Sequence, residues 1–126
     1  MKLTPAQREA VREAALSQLG RDRTEGFTCV DFVRGVYASI GLAVPFPLVG
    51  WMSPPAELNI VQDQLNCLPL GELIFFSRKN DPRKRKWTHV GIALTEREII
   101  HCSQFLGEKV VITDLENMLV DYDFAP

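Results

Sequence analysis

Helical periodicity in this chain ends at Gly41, and strand-like runs do not begin until Gly71. A sequence that separates its helices from its strands in this way does not build parallel βαβ crossovers. It is expected to be α+β, with N-terminal helices packed on a central antiparallel β-sheet. The 126 residues fit a single domain over 1–126, long enough to bury a core without disulfide or metal staples.

The first helix is announced by Thr4-Pro5-Ala6-Gln7: a capping threonine, proline at the first helical position and a glutamine three residues past the cap. Val11, Ala15 and Leu19 recur at helical spacing, and Gly20 is the expected stop. Thr28-Cys29-Val30-Asp31 reads as a second capping box, with aspartate in the usual glutamate position. Val30, Val33, Val36, Tyr37 and Ile40 then form an apolar face, and Gly41 ends the helix. This phasing puts Cys29 in the first helical turn.

Pro45, Pro47, Pro54, Pro55 and Pro69 break residues 43–70 into short pieces, read as a covering layer with a helical turn or two around 57–65. Leu73-Ile74-Phe75-Phe76 is a continuous apolar run, as expected of a central strand. His89 to Leu94 and Glu98 to Ser103 predict two strands around a short turn, and Lys109 to Thr113 a fourth. The tail from Leu115 to Leu119 adds a helical turn.

A cysteine in the first turn of a helix sits among free N–H groups at the positive end of the dipole, and both favour the thiolate. A thiolate attacks carbonyls, and the N–H of the same residue can help hold the resulting oxyanion. It also needs a base that later protonates a leaving amine. The chain has two histidines, His89 and His101. If Thr95, Glu96 and Arg97 form the loop of the hairpin, Leu94 pairs with Glu98 and Gly91 faces His101. His89, Gly91 and His101 then share one face, with Val90, Ile92, Ile100 and Cys102 on the other. The histidines become diagonal neighbours roughly 7–8 Å apart at the backbone. Cys29 is thus the candidate nucleophile, and His89 and His101 can supply a base and a group that orients it.

Other chemistries fit less well. Three cysteines at wide spacing, with no CxxC, argue against a zinc site and against a disulfide framework. A net charge of −2 gives no global reason to bind nucleic acid or an anionic membrane. No apolar run approaches membrane-spanning length, and the N-terminus lacks the apolar stretch of a secretory signal. The expectation is a protein that is cytoplasmic where made, or exported to the cell envelope by a signal-independent route.

The same residues resemble the NlpC/P60 family of papain-like cysteine peptidases, relatives of the CHAP amidases. Thr28-Cys29-Val30-Asp31-Phe32-Val33 is similar to the family's nucleophile motif, usually Asp-Cys-Ser-Gly, although Thr28, Val30 and Asp31 depart from it. Gly71-Glu72-Leu73-Ile74-Phe75-Phe76 is similar to its Gly-Asp-Leu-Val-Phe-Phe strand, and His89-Val90-Gly91-Ile92 is unaltered. The upstream tyrosine and paired glycines of the family have no clear match in residues 21–27. The resemblance implies hydrolysis of an amide bond in peptidoglycan stem peptides by a Cys29–His89–His101 triad. It implies no metal or organic cofactor, a peptidoglycan peptide as partner, and no nucleic acid; the oligomeric state stays open, a monomer included.

Phe27 and Trp87 are candidate substrate-binding residues, Trp87 because it would share the His89 face if the strand reached back to it. Arg78, Lys79, Arg83, Lys84, Arg85 and Lys86 crowd the loop before His89, a cationic rim for acidic peptides or simply a solvated loop. Cys67 and Cys102 read as packing residues. Two alternatives stand beside the peptidase: a thiol hydrolase or acyltransferase acting on a non-peptidoglycan amide or ester, and a catalytically silent binding module on the same fold.

Overall fold

The structure, a computed structural model, describes residues 3–44, 47–54 and 67–125. The helical turns expected around 57–65 lie outside the described residues. Helix α1 runs Pro5–Leu16 and α2 runs Cys29–Ser39. Strands β1 (Leu73–Arg78), β2 (His89–Ala93), β3 (Glu98–Cys102) and β4 (Val110–Asp114) follow, then α3 (Leu115–Asp121) and β5 (Tyr122–Phe124). The sheet order is β4-β3-β2-β1-β5, with every pairing antiparallel.

Both capping signals operate. The Gln7 N–H donates to Thr4 Oγ1 at 3.2 Å while the Thr4 N–H donates to Gln7 Oε1 at 2.9 Å, satisfying donors that a helix start leaves orphaned. At α2 the Thr28 N–H and O–H both donate to one Asp31 carboxylate oxygen at 2.9 Å, and these bonds hold the Asp31 pKa below its ordinary value. The carboxylate also sits at the positive end of the helix.

Helix α1 ends at Leu16, earlier than the expected stop at Gly20. The chain tightens through i→i+3 bonds, Gln18 to Ala15 and Leu19 to Leu16, and the Gly20 N–H then joins the Val110 carbonyl at 2.9 Å. Leu19 is therefore exposed instead of continuing the buried stripe. In α2 the inward face is Cys29, Phe32, Val33, Val36 and Tyr37. It is rotated from the sequence reading, because Phe32 takes the interior and Val30 and Ile40 end half-buried.

Helices α1 and α2 bury Val11, Ala15, Phe32, Val33 and Tyr37 against Leu73, Phe75, Val90, Ile92 and Ile100 on one sheet face. The opposite face, with Ile74, Phe76, Ala93 and Ile99, is covered by Leu115 and Met118 of α3 and by Tyr122. Two tethers tie the helices to the start of β1. Tyr37 donates its hydroxyl to the Gly71 carbonyl at 2.6 Å, and Arg8 pairs with the nearly buried Glu72 at 3.2 Å. Gly71 is at φ +79, and a Cβ there would come within 3.2 Å of the Arg8 backbone, so only glycine lets α1 approach β1 this closely. The short strand β5 was not anticipated: three residues carry too little alternation to mark a strand.

Candidate active site

The β2–β3 hairpin sets the two imidazoles. Ile92 pairs with Ile100 and Ala93 with Ile99, and the Leu94 N–H donates to the Glu98 carbonyl at 2.9 Å. That register opposes Gly91 to His101 and puts His89 and His101 on one face. Nε2 of His89 lies 2.8 Å from Nδ1 of His101, with the rings nearly perpendicular at 80°. A Cβ on residue 91 would fall 2.5 Å from Ile99 Cγ2 and 3.1 Å from His101 Cβ. Gly91 is the gap through which the histidines meet.

The relay continues. Nε2 of His101 lies 2.9 Å from Thr113 Oγ1 on β4. If each ring carries its proton on Nε2, His89 donates to His101 and His101 donates to Thr113. That assignment leaves a lone pair on Nδ1 of His89, the arrangement a general base requires. Burial is the main force on both rings. It holds His101 down at about 4 and, with His101 and Arg23 nearby, holds His89 well below its ordinary 6.5. Both imidazoles are neutral near pH 7. Tyr122 of β5 walls the site: its ring centroid is 5.4 Å from that of His89, and burial raises its hydroxyl to about 12.

Cys29 is the first residue of α2 and is nearly buried. The Val90 and Val30 N–H groups and the Arg23 side chain act on its sulfur to lower the thiol pKa. These donors favour the thiolate, but desolvation is larger, and burial pushes the Cys29 thiol above its ordinary value. The helix start alone led to the opposite expectation; it does not outweigh the burial of Cys29 in the α2-side core.

Sequence reasoning missed Arg23, Thr113 and Tyr122. Arg23 stands in the segment without a family match, and its Nη1 donates to the Cys102 carbonyl at 3.1 Å. Its backbone N–H is fixed by the Glu108 carbonyl at 2.7 Å. Thr113 was visible only through strand parity two strands away, and Tyr122 only through β5.

The two candidate substrate-binding residues are not brought to the imidazoles. Trp87 is 3% exposed, packs edge-on to Phe75 at 5.1 Å, and belongs to the α2-side core. Strand β2 begins at His89, so the strand parity that would have aligned Trp87 with it does not apply. Phe27 is half-buried beneath the Arg21 guanidinium, 3.6 Å from its ring centroid. The Phe27 carbonyl accepts from Cys102 Sγ at 3.9 Å. Cys102 is buried on the face opposite His101, and Cys67 is exposed. Among the described residues no cluster of three or more His, Cys, Asp or Glu side chains could hold a metal ion. No described helix is long and apolar enough to cross a membrane.

A sequence model of the NlpC/P60 family matches residues 18–124. Among solved structures, the NlpC/P60 domain of the peptidoglycan hydrolase SagA is 23% identical over 94% of this chain and 98% of its own, with a TM-score of 0.60. NlpC1 from Trichomonas vaginalis is 17% identical over 99% of this chain and 44% of its own, at a TM-score of 0.72. An NlpC/P60 family protein from Bacillus cereus is 21% identical over 98% and 42%, at 0.67. At these identities the likeness concerns the fold, and this chain spans under half of the last two. Among curated proteins, none matches this chain.

Proposed function

The chain belongs to the NlpC/P60 family, and on that premise we propose that it is a cysteine peptidase or amidase cleaving an amide bond in peptidoglycan stem peptides. Cys29 is the nucleophile, His89 the general base and acid, and His101, backed by Thr113, the residue that orients His89. The observation that carries this reading is the relay at 2.8 Å and 2.9 Å, which ends on Nδ1 of His89.

The reaction starts from a neutral thiol and a neutral imidazole. As Cys29 Sγ bonds to the scissile carbonyl carbon, its proton passes to Nδ1 of His89 and the carbonyl π pair moves onto oxygen. The Cys29 N–H, in the first turn of α2, donates to that oxyanion. Collapse re-forms the carbonyl and breaks the C–N bond, and His89 returns the proton to the leaving amine. His89 next takes a proton from water as its oxygen attacks the thioester. The thiol leaves with that proton and the carboxylic acid is released.

Incubation with synthetic stem peptides and with intact peptidoglycan should release new free amines, and Cys29→Ala should release none. SagA, a peptidoglycan hydrolase by name, supports this choice of substrate. The raised thiol of Cys29 favours a second reading, a module that binds such peptides without cleaving them. Peptide retention with no amine released from either substrate would select that module.

A further inference from the structure

A cavity of about 320 Å³ opens between the loop after β1, residues 104 and 105 after β3, and Tyr122. Two of its three arginines have defined partners. Asp81 accepts from the Arg85 backbone N–H, Nε and Nη2 at 2.9, 3.2 and 3.1 Å, and these bonds hold the Asp81 carboxyl down at about 2. Arg78 lies over the Phe105 ring, 5.1 Å from its centroid, and its backbone N–H donates to Thr88 Oγ1 at 2.8 Å. Asp81 is committed to Arg85, while among the described residues neither Arg78 nor Arg83 forms an ion pair. The cavity therefore has more positive charge than its own carboxylate balances, and concave walls strengthen that field.

Position gives the cavity a use. Tyr122 lines it on one side and faces the His89 ring at 5.4 Å on the other, and Thr88 lines it immediately before His89 in sequence. We infer that this cavity is a carboxylate subsite, in which Arg78 and Arg83 hold a free carboxyl group of the peptide whose amide bond is presented to His89. The inference rests on the hydrolase reading for the identity of that peptide but not for the binding itself. Guanidinium groups suit the role because their N–H forks match the two oxygens of a carboxylate. The cavity selects acidic peptides and disfavours the same peptides in amidated form.

Glutarate and its uncharged counterpart glutaramide separate the two claims without any turnover. In an amide NMR titration of the full chain, glutarate should shift Thr88 and Gln104 saturably, and glutaramide should not. Arg78→Gln combined with Arg83→Gln should weaken glutarate binding roughly fivefold to tenfold, as loss of two partly solvated charges predicts. Dispersed amide resonances in the double variant report that it is folded. Equal responses to the two probes, shifts confined to other surfaces, or unchanged affinity in the folded variant would each overturn the subsite. Failure to cleave any stem peptide would instead remove the hydrolase reading and leave the glutarate result standing.

Discussion

Nε2 of His89 and Nδ1 of His101 face each other at 2.8 Å across a hairpin whose intervening residue, Gly91, has no side chain. Neither ring could hold this position alone. The contact requires the strand register, the missing Cβ and the Thr113 hydroxyl behind His101.

Gly91→Ala tests the gap directly. The added methyl falls 2.5 Å from Ile99 Cγ2 and 3.1 Å from His101 Cβ, so β3 or the His101 ring must shift. Overpacking of this kind costs about 1–3 kcal/mol. Thermal unfolding should register that loss, and stem-peptide hydrolysis should fall beyond what the loss of folded protein explains. A variant with unchanged unfolding and turnover would show that the gap is unused.

The relay predicts graded effects along its length. His101→Ala, by freeing the His89 ring, should lower kcat by roughly 10²-fold or more, the scale at which general bases contribute. Thr113→Val keeps the shape of the side chain and removes only the oxygen 2.9 Å from His101, so its effect should be smaller. Reversal of that order would place Thr113, not His101, in the orienting role.

Protonation of the buried rings sets an acid limit to stability. The His101 pKa is about 4 in the fold against an ordinary 6.5. Between those values the unfolded chain binds the extra proton, so stability falls as pH drops from 6.5 towards 4. The full loss from this residue is about 3 kcal/mol. His89, depressed in the same direction, adds to it. His101→Asn should flatten the pH dependence of the unfolding midpoint in this window; a slope as steep as the parent's would contradict the assignment.

The faces of the hairpin were legible in the sequence because parity is discrete: with Thr95, Glu96 and Arg97 as the loop, the face of every β2 and β3 side chain follows. Cys29 could likewise be placed because Thr28 and Asp31 mark a helix start with polar side chains that have few other uses there. What could not be read were effects that depend on distance through space. Desolvation of the Cys29 sulfur comes from burial in a core built from several elements, and no local pattern announces it. Arg23 reaches Cys102 from 79 positions away in sequence, and Trp87 turned inward because the strand begins two residues after it.

Arg23 bears on the thiol itself. Its hydrogen bond and charge favour the thiolate of Cys29 against burial, so Arg23→Met should move the pH profile of Cys29 alkylation by iodoacetamide further upward. Arg23→Lys, which keeps the charge, should restore part of the shift. In the parent chain the alkylation midpoint should lie above the ordinary thiol value of 9.0. A midpoint well below it would mean that the helix start governs the sulfur after all.

Strand β5 pairs with β1 and presents Tyr122 to an imidazole that precedes it in the chain. During synthesis on a ribosome, Cys29, His89 and His101 all emerge before Tyr122 does. A nascent chain thus holds every proposed reacting group while the ring that walls off His89 is still missing.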